Sequence, residues 1–392
     1  MSLHSLSRAP LMIRVPSIIS ILEGCLLFTI FFPYVPGILP TDTQPWFFAL
    51  FCALFLVKSL TKSQKVSSLG ISKNPILRLV AFLILGFIFS ILVRMLLNGL
   101  PQITRIFSFL QFLTALIYGL SFHKKGIKEE LFFKIVITYV VFTIIYFVTN
   151  GVVENLLVFR KVDTTQLLLS GRGARTLSGE PTFFVLTLLN IYIIKKLLYP
   201  KTTFTKSKHI LFNSLLLSCI FSSFSGYGVA ILGIIIICEF PSLLIIAFIG
   251  VLFFINDILY YLDNTSNRAL NILNLVISGK GGELLDFSRG YGLSFGVRFN
   301  ALIHNWNRFI EYKILGGGFT STNVGGGLVS FLAEIGLTFF ILLTSVLIKI
   351  FFGNFGVRFK MVLIFWFSIR FMSDSMGIPG VGLILGMILI HK

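Results

Sequence analysis

Apolar runs of membrane-spanning length recur along most of this chain, and no other feature limits its fold as tightly. A helix needs about 20 mostly apolar residues, in a range of about 17–25, to cross a hydrocarbon core. Runs close to that length lie near residues 15–33, 45–60, 76–98, 103–121, 130–149, 181–199, 208–224, 242–261, 324–348, 358–374 and 376–391. A shorter one, residues 227–239, follows the seventh run and starts at Ser-Gly-Tyr-Gly. In lipid every backbone N–H and C=O must bond within the protein, which leaves helices or a closed barrel. Barrel strands alternate apolar and polar residues, and GVAILGIIIIC, residues 228–238, does not alternate. The expected fold is all-α: a polytopic integral membrane bundle of about twelve transmembrane helices, or eleven if residues 227–239 do not span. The whole chain, residues 1–392, reads as one transmembrane domain without an internal repeat.

Composition excludes the soluble alternative. Of the 392 residues, 56% are hydrophobic and 12% charged, where soluble domains carry about 25% charged residues. Too little polar surface remains to cover a water-soluble globule. Cys25, Cys52, Cys219 and Cys238 lie inside apolar runs with no Cys-x-x-Cys spacing, so they read as small apolar residues rather than zinc ligands or disulfide partners. Arg8 and Arg14 precede the first run as in a signal peptide, but Pro16 and Glu23 interrupt it and no small-x-small cleavage site follows. It reads as a retained first span.

Basic short loops orient the spans. Lys58, Lys62, Lys65, Lys73 and Arg78 form one group, Lys124, Lys125 and Lys128 a second, Lys195, Lys196, Lys201, Lys206 and Lys208 a third, and Lys349, Arg358 and Lys360 a fourth. With twelve spans all four fall on one side, together with Arg8, Arg14 and Lys392. That side is expected to be cytoplasmic, with both termini. The opposite, outer side then carries two long segments, about residues 150–180 and 262–323. Loops of this length usually carry function. Apolar spacing at Phe295, Phe299, Leu302, Trp306 and Phe309 predicts short amphipathic helices lying over the outer membrane face.

No soluble-enzyme motif is present. The chain has no P-loop, no Rossmann glycine pattern and no HExxH; the glycine triplets at 316–318 and 325–327 lack the GxxxxGK[ST] order. Of His4, His123, His209, His304 and His391, only His304 falls on the outer side. The informative feature is arginine there. SGRGARTLSGEP, residues 170–181, places Arg172 and Arg175 beside glycines and ahead of Glu180-Pro181. Pro181 is a plausible first helical residue. The arginines would stand near a helix N-terminus, which attracts anions, and a guanidinium grips phosphate in a permanent bidentate fork. The second outer segment adds Arg289, Arg298 and Arg308 with Tyr291, His304, Trp306 and Glu311. Solvated charge is the competing account of both sets. Within the spans, Glu23, Arg94, Lys134, Glu239, Glu334, Arg370 and Asp374 are candidates for function or for snorkelling; Arg370 and Asp374, four residues apart, are placed to pair.

Three local patterns resemble the O-antigen polymerases of the lipid-linked repeat-unit pathway, within the O-antigen polymerase and ligase superfamily. GRGARTLSGEPTFFVL, residues 171–186, is similar to an Arg-rich segment followed by Glu-Pro and a span. SFGVRFN, residues 294–300, resembles the Ser-x-x-x-Arg segment and places Arg298. ILGGGFTSTN with LVSFLAEIGL, within residues 314–337, is similar to a glycine-rich turn before a late span ending in Glu-x-Gly. An arginine-x10-glycine spacing also occurs from Arg160 to Gly171 and from Arg268 to Gly279. The related ligases carry His-Asn before the late span, whereas Thr322-Asn323-Val324 stands here, which favours a polymerase.

The resemblance implies a GT-C-like bundle in a bacterial inner membrane. It implies glycosyl transfer between oligosaccharide repeat units carried on undecaprenyl diphosphate, at the periplasmic face. An acceptor hydroxyl would attack the donor's anomeric carbon and the lipid diphosphate would leave. Arg172, Arg175 and Arg298 would stabilise that leaving group, and Glu180 or His304 would take the acceptor proton. Arg160, Arg289, Tyr291, Arg308 and Glu311 are candidates for holding substrate. No cofactor, metal or nucleic acid is expected; membrane lipids and a chain-length regulator protein are expected partners. A flippase for the same lipid-linked sugars and an O-antigen ligase are the rival readings.

Overall fold

The computed structural model describes residues 15–35, 44–61, 75–100, 103–122, 126–158, 173–178, 180–242, 290–319, 327–372 and 379–391. Among these residues the chain is all-helical and has no strand. The helices are α1 (Val15–Phe31), α2 (Trp46–Thr61), α3 (Pro75–Asn98), α4 (Ile103–Phe122), α5 (Glu129–Thr149) and the short α6 (Val152–Leu157), then α7 (Pro181–Leu198), α8 (Lys206–Ser222) and α9 (Gly226–Glu239). After residue 289 come α10 (Gly290–Glu311), α11 (Gly327–Ile335), α12 (Leu337–Phe352), α13 (Val357–Met372) and α14 (Pro379–Ile390). Among the described residues four helices, Pro75–Leu96, Ile103–Phe122, Glu129–Thr149 and Pro181–Leu198, are long and apolar enough to cross a membrane, and several shorter helices are apolar too. This is the pattern of a helical membrane protein.

Where they fall on described residues the expected spans meet helices; the expected ninth, 242–261, lies outside them from residue 243 on. Residues 227–239 are helical, started by Ser225, whose side chain accepts from the Gly228 N–H. One expected run is not a continuous helix. Residues 327–348 divide into α11 and α12, which meet at Gly336, with φ of 72°. The cause is the turn at residues 314–318, which packs into the break. A Cβ at Gly336 would stand 2.5 Å from the Gly316 nitrogen, so glycine is required for both conformation and contact. The turn closes the break by backbone bonds, Gly317 N–H to Ala333 O (2.9 Å), Gly318 N–H to Glu334 O (3.2 Å) and Leu337 N–H to Ile314 O (3.2 Å). Irregular backbone among spans is tolerated where protein covers it.

Burial follows the inverted logic of a bundle in an apolar solvent. Leu85, Ile88, Phe89 and Leu92 on α3 are exposed, at spacings that make one outward apolar face. The centre is built by α7 and α14, buried around nearly their whole circumference. α14 lies parallel to α4, with Gly382 over Phe112 and Leu116, and Gly386 over Leu116 and Gly119. Small residues let two backbones approach closely, which drives helix association in lipid.

Among the described residues of the second outer segment, the amphipathic expectation meets a 22-residue helix, α10. Its protein-facing side is Ala301, Asn305 and Arg308, with Leu302 and Phe309 packed against the core. Phe299, Ile303, Trp306 and Ile310 form a second, exposed stripe. Trp306 and Phe299 therefore sit on the outward side, as residues at a membrane interface do.

Lysines gather at one end of the bundle. Lys196 pairs with Glu239 at 2.6 Å and Lys208 with Glu130 at 2.5 Å. The deepest pair is Lys195–Glu129 at 2.8 Å, both side chains 2% exposed. Thr202 donates to Glu129 Oε1 at 2.6 Å, and the Thr203 N–H and hydroxyl each donate to Oε2 at 2.6 Å. The Lys195 ammonium lies over the Phe204 and Phe212 rings. Removing one partner of such a pair leaves a buried charge uncompensated, at a cost of about 3–5 kcal/mol. Glu129→Ala is therefore expected to melt well below the parent in detergent, and adding Lys195→Met should restore part of the loss. A melting midpoint unchanged in Glu129→Ala would show that the pair does not hold this end together.

Candidate functional site

Arginines gather at the opposite end, which carries residues 173–178 and the 314–319 turn. Three element ends meet there: the start of α4, the broken junction of α11 with α12, and the end of α10. Arg105, in the first turn of α4, donates through Nε to Glu334 Oε1 at 3.1 Å and through Nη2 to Ser330 Oγ at 2.7 Å. Its Nη2 also stands 3.0 Å from Glu334 Oε1. The guanidinium lies over the Phe331 ring, 5.5 Å from its centroid. On α11, Ser330 and Phe331 stand four and three residues before Glu334, the two spacings at which helix side chains are neighbours. Arg105 keeps 22% of its side chain exposed, whereas Glu334 keeps 6%. The carboxylate is thus the buried member that orients the reachable guanidinium.

Glu334 is fixed from both sides. Its carbonyl accepts from Ser90 Oγ at 2.6 Å and from the Gly318 N–H. Its second carboxylate oxygen is buried and has no hydrogen-bond partner among the described residues. Arg308 lies on the same turn, its Nη2 donating to Gly317 O at 2.5 Å. A Cβ at Gly317 would come 2.4 Å from Arg308 Nε, and one at Gly318 would come 2.7 Å from the Arg94 Cβ. The glycine triplet is therefore what allows two arginine side chains to crowd one turn. Burial pushes the Arg308 guanidinium down from its ordinary value, Glu334 acts in the opposite sense, and Arg94 adds to the lowering. It stays protonated at neutral pH. A groove of about 490 Å³ runs beside this set, lined by Val93 of α3 and residues 310–316, including Glu311, Tyr312 and Lys313.

Arg175 belongs to a neighbouring contact set. It is fully buried, and its Nη2 donates to Asn155 Oδ1 on α6. The strand of chain that carries it is docked by backbone, Gly173 N–H to Ser223 O at 3.0 Å and Ala174 N–H to Ser222 O at 2.8 Å, with the Thr176 and Thr143 hydroxyls 3.1 Å apart. A Cβ at Gly173 would meet Ser222 O at 2.1 Å. Glu180 caps α7 with extended backbone and no side-chain cap bond, and Pro181 opens the helix as expected. Arg370, also fully buried, donates to Leu186 O and to Asn190 Oδ1, each at 3.1 Å. Asn190 Oδ1 accepts in addition from Trp366 Nε1 at 2.9 Å. The expected partner Asp374 lies outside the described residues. Gly327, which opens α11, packs on the Arg370 and Phe371 carbonyls.

Arg160, Arg172 and Arg289 lie outside the described residues. Tyr291 and Arg298 fall on α10, in a part of it where side chains are not described. His304 and Glu311 are exposed on the same helix. The residues brought together are thus Arg308 and Glu334, which the sequence suggested separately, and Arg105 and Ser330, which it did not. One signal for Arg105 was available: it follows Pro101 on the side where the short loops lack lysine. Comparison of the chain with protein-family models, curated proteins and solved structures finds no match.

Proposed function

We propose that this protein is a membrane glycosyltransferase that joins lipid-diphosphate-linked oligosaccharide repeat units, an O-antigen polymerase in kind. The observation that carries the reading is the Arg105 guanidinium, reachable from outside and already oriented by Glu334 and Ser330. An oriented guanidinium costs no reorganisation when negative charge develops beside it. The residue patterns around Arg172, Arg298 and the 314–337 segment support the same chemistry by resemblance. The gathering of lysine at one end and arginine at the other supports an inner membrane orientation with the arginine end periplasmic and both termini cytoplasmic.

In the reaction, an acceptor sugar hydroxyl attacks the anomeric carbon of the donor glycan. The new glycosidic C–O bond forms as the bond from that carbon to the diphosphate oxygen breaks. The lipid diphosphate leaves with the electron pair, and the hydroxyl proton passes to a base, for which Glu180 and His304 are the candidates. Guanidiniums at the leaving oxygens stabilise the transition state more than the ground state. The assigned set is Arg105 and Arg308 with Arg172 and Arg298, and Glu334 as a positioning residue; Arg175, buried against Asn155, is assigned to hold the segment next to Arg172 in place.

Gene deletion tests the reading. Loss of a polymerase leaves surface glycan with a single repeat unit. Loss of a flippase leaves none, and loss of a ligase leaves long chains on the carrier lipid. At residue level, Arg172→Ala and Arg298→Ala are each expected to abolish chain extension at normal expression, with lysine rescuing poorly. An unaltered ladder of chain lengths after deletion would overturn the proposal.

A further inference from the structure

The lysine-rich end holds a second cleft of about 490 Å³, lined by α7, α9, the α12–α13 turn and the end of α14. The reaction proposed above makes no use of it. Lys196, Glu239, Arg358, Phe355 and His391 are among its walls. Glu239 is the acidic member, and its charge is met locally. Lys196 lies 2.6 Å from its Oε1, Tyr192 donates to the same oxygen at 2.5 Å, and His209 Nε2 lies 3.2 Å from Oε2. Arg358 has no ion pair among the described residues, and its side chain is exposed. Two further cations lie near the cleft, neither with an ion pair among the described residues. Lys360 donates to Phe351 O at 2.7 Å, and Lys349 to His391 O at 3.5 Å. The His391 imidazole stacks on Phe355, with centroids 4.3 Å apart. The mouth is therefore cationic.

The α12–α13 connection that lines it also carries exposed apolar side chains. Val357, in the lining, is 77% exposed, and Phe351 and Phe352, at the end of α12 just before it, are 53% and 86% exposed. In water such a cluster beside lysine and arginine would be unfavourable; at a bilayer surface it is the arrangement that meets acyl chain and headgroup together. Basic pockets between spans at this level take phospholipid headgroups. We infer that this cleft binds the phosphate-bearing headgroup of an anionic phospholipid, with Arg358 as its principal cation and the exposed Phe351 and Phe352 at the end of α12 against the chains.

The test is thermal melting of the detergent-purified full chain. Short-chain phosphatidylglycerol, short-chain phosphatidylcholine and inorganic phosphate are added in separate arms. A ligand that binds only the folded state raises the melting midpoint in proportion to the logarithm of its occupancy. Phosphatidylglycerol is expected to raise it by several degrees, and the other two to leave it within about one degree. Arg358→Gln and Arg358→Glu change an exposed side chain, so both should fold and both should lose the rise. An equal rise from phosphatidylcholine would reduce the cleft to detergent-like packing and overturn the inference. An equal rise from inorganic phosphate would make it a soluble-anion site and overturn it too. So would a phosphatidylglycerol rise that survives in both Arg358 variants. None of these outcomes depends on the glycosyl transfer proposed above.

Discussion

Arg105→Ala is expected to slow chain extension by roughly 10²-fold to 10³-fold, the loss that follows removal of one preorganised donor from a site of developing charge. The argument rests on what holds the side chain. Nε and Nη2 are both engaged, by Glu334 and Ser330, so the guanidinium plane is set before substrate arrives. Alanine also leaves Glu334, 6% exposed, without its cation, and that costs stability, by about 3–5 kcal/mol for a buried pair broken on one side. Two further variants separate the effects. In Arg105→Lys an ammonium can still meet Glu334, so folded yield should hold, but the planar fork is gone and extension should stay slow. Glu334→Gln keeps the size of the side chain and an acceptor oxygen for Arg105 while removing the charge. It should lower kcat and leave the KM for the lipid-linked unit nearly unchanged, because the guanidinium is misplaced rather than lost. Initial rates in proteoliposomes, normalised to folded protein by gel filtration, measure all three. Wild-type rates in Arg105→Lys would show that this arginine serves only to neutralise Glu334.

The positions of the helices were legible in the sequence, and the reason is solvent. A run of apolar residues such as 181–199 has one stable form in lipid, and it is α7 that appears there. The arginine end was legible by residue type but not by partner. Arg175 and Glu180-Pro181 were visible beside a helix start, yet nothing local announced that Gly173 and Ala174 dock on Ser222 and Ser223 by backbone alone. Backbone docking leaves no side-chain pattern to read. Arg105 was missed because one arginine near the start of an apolar run is also what snorkelling produces. Its function as a partner of Glu334 depends on a contact across 229 residues of chain. The break at Gly336 was hidden for a related reason. A glycine in an apolar run is ordinarily tolerated in a helix, and this one bends the chain because the Gly316–Gly318 turn, distant by some 20 residues, is pressed against it.

The largest effect on folding is expected at the glycine contact between α4 and α14. A Cβ at Gly386 would stand 2.3 Å from Leu116 O, one at Gly382 would stand 2.3 Å from Phe112 O, and one at Gly119 would stand 2.4 Å from Leu383 O. Each clash is with a backbone carbonyl, so no rotamer change relieves it, and the helices must move apart. Separation is costly because α14 is buried along its length and also packs on α7, where Gly380 lies against Asn190. Lipid supplies no hydrophobic drive to restore the contact, since acyl chains solvate an apolar helix as well as another helix does. Overpacking a single site costs typically about 1–3 kcal/mol. Two sites four residues apart on one face couple through the same displacement, so Gly382→Leu with Gly386→Leu should leave almost no folded protein after detergent extraction. Gly386→Leu alone should melt markedly earlier than the parent. Gly233→Leu is the control: it too lies in an apolar helix, α9, but a Cβ there meets nothing within 4 Å. It should fold as the parent does, and it gains a better helix former. If Gly386→Leu and Gly233→Leu melt alike, α4 and α14 are not in contact, and the arrangement that places Arg105 against α11 loses its central support.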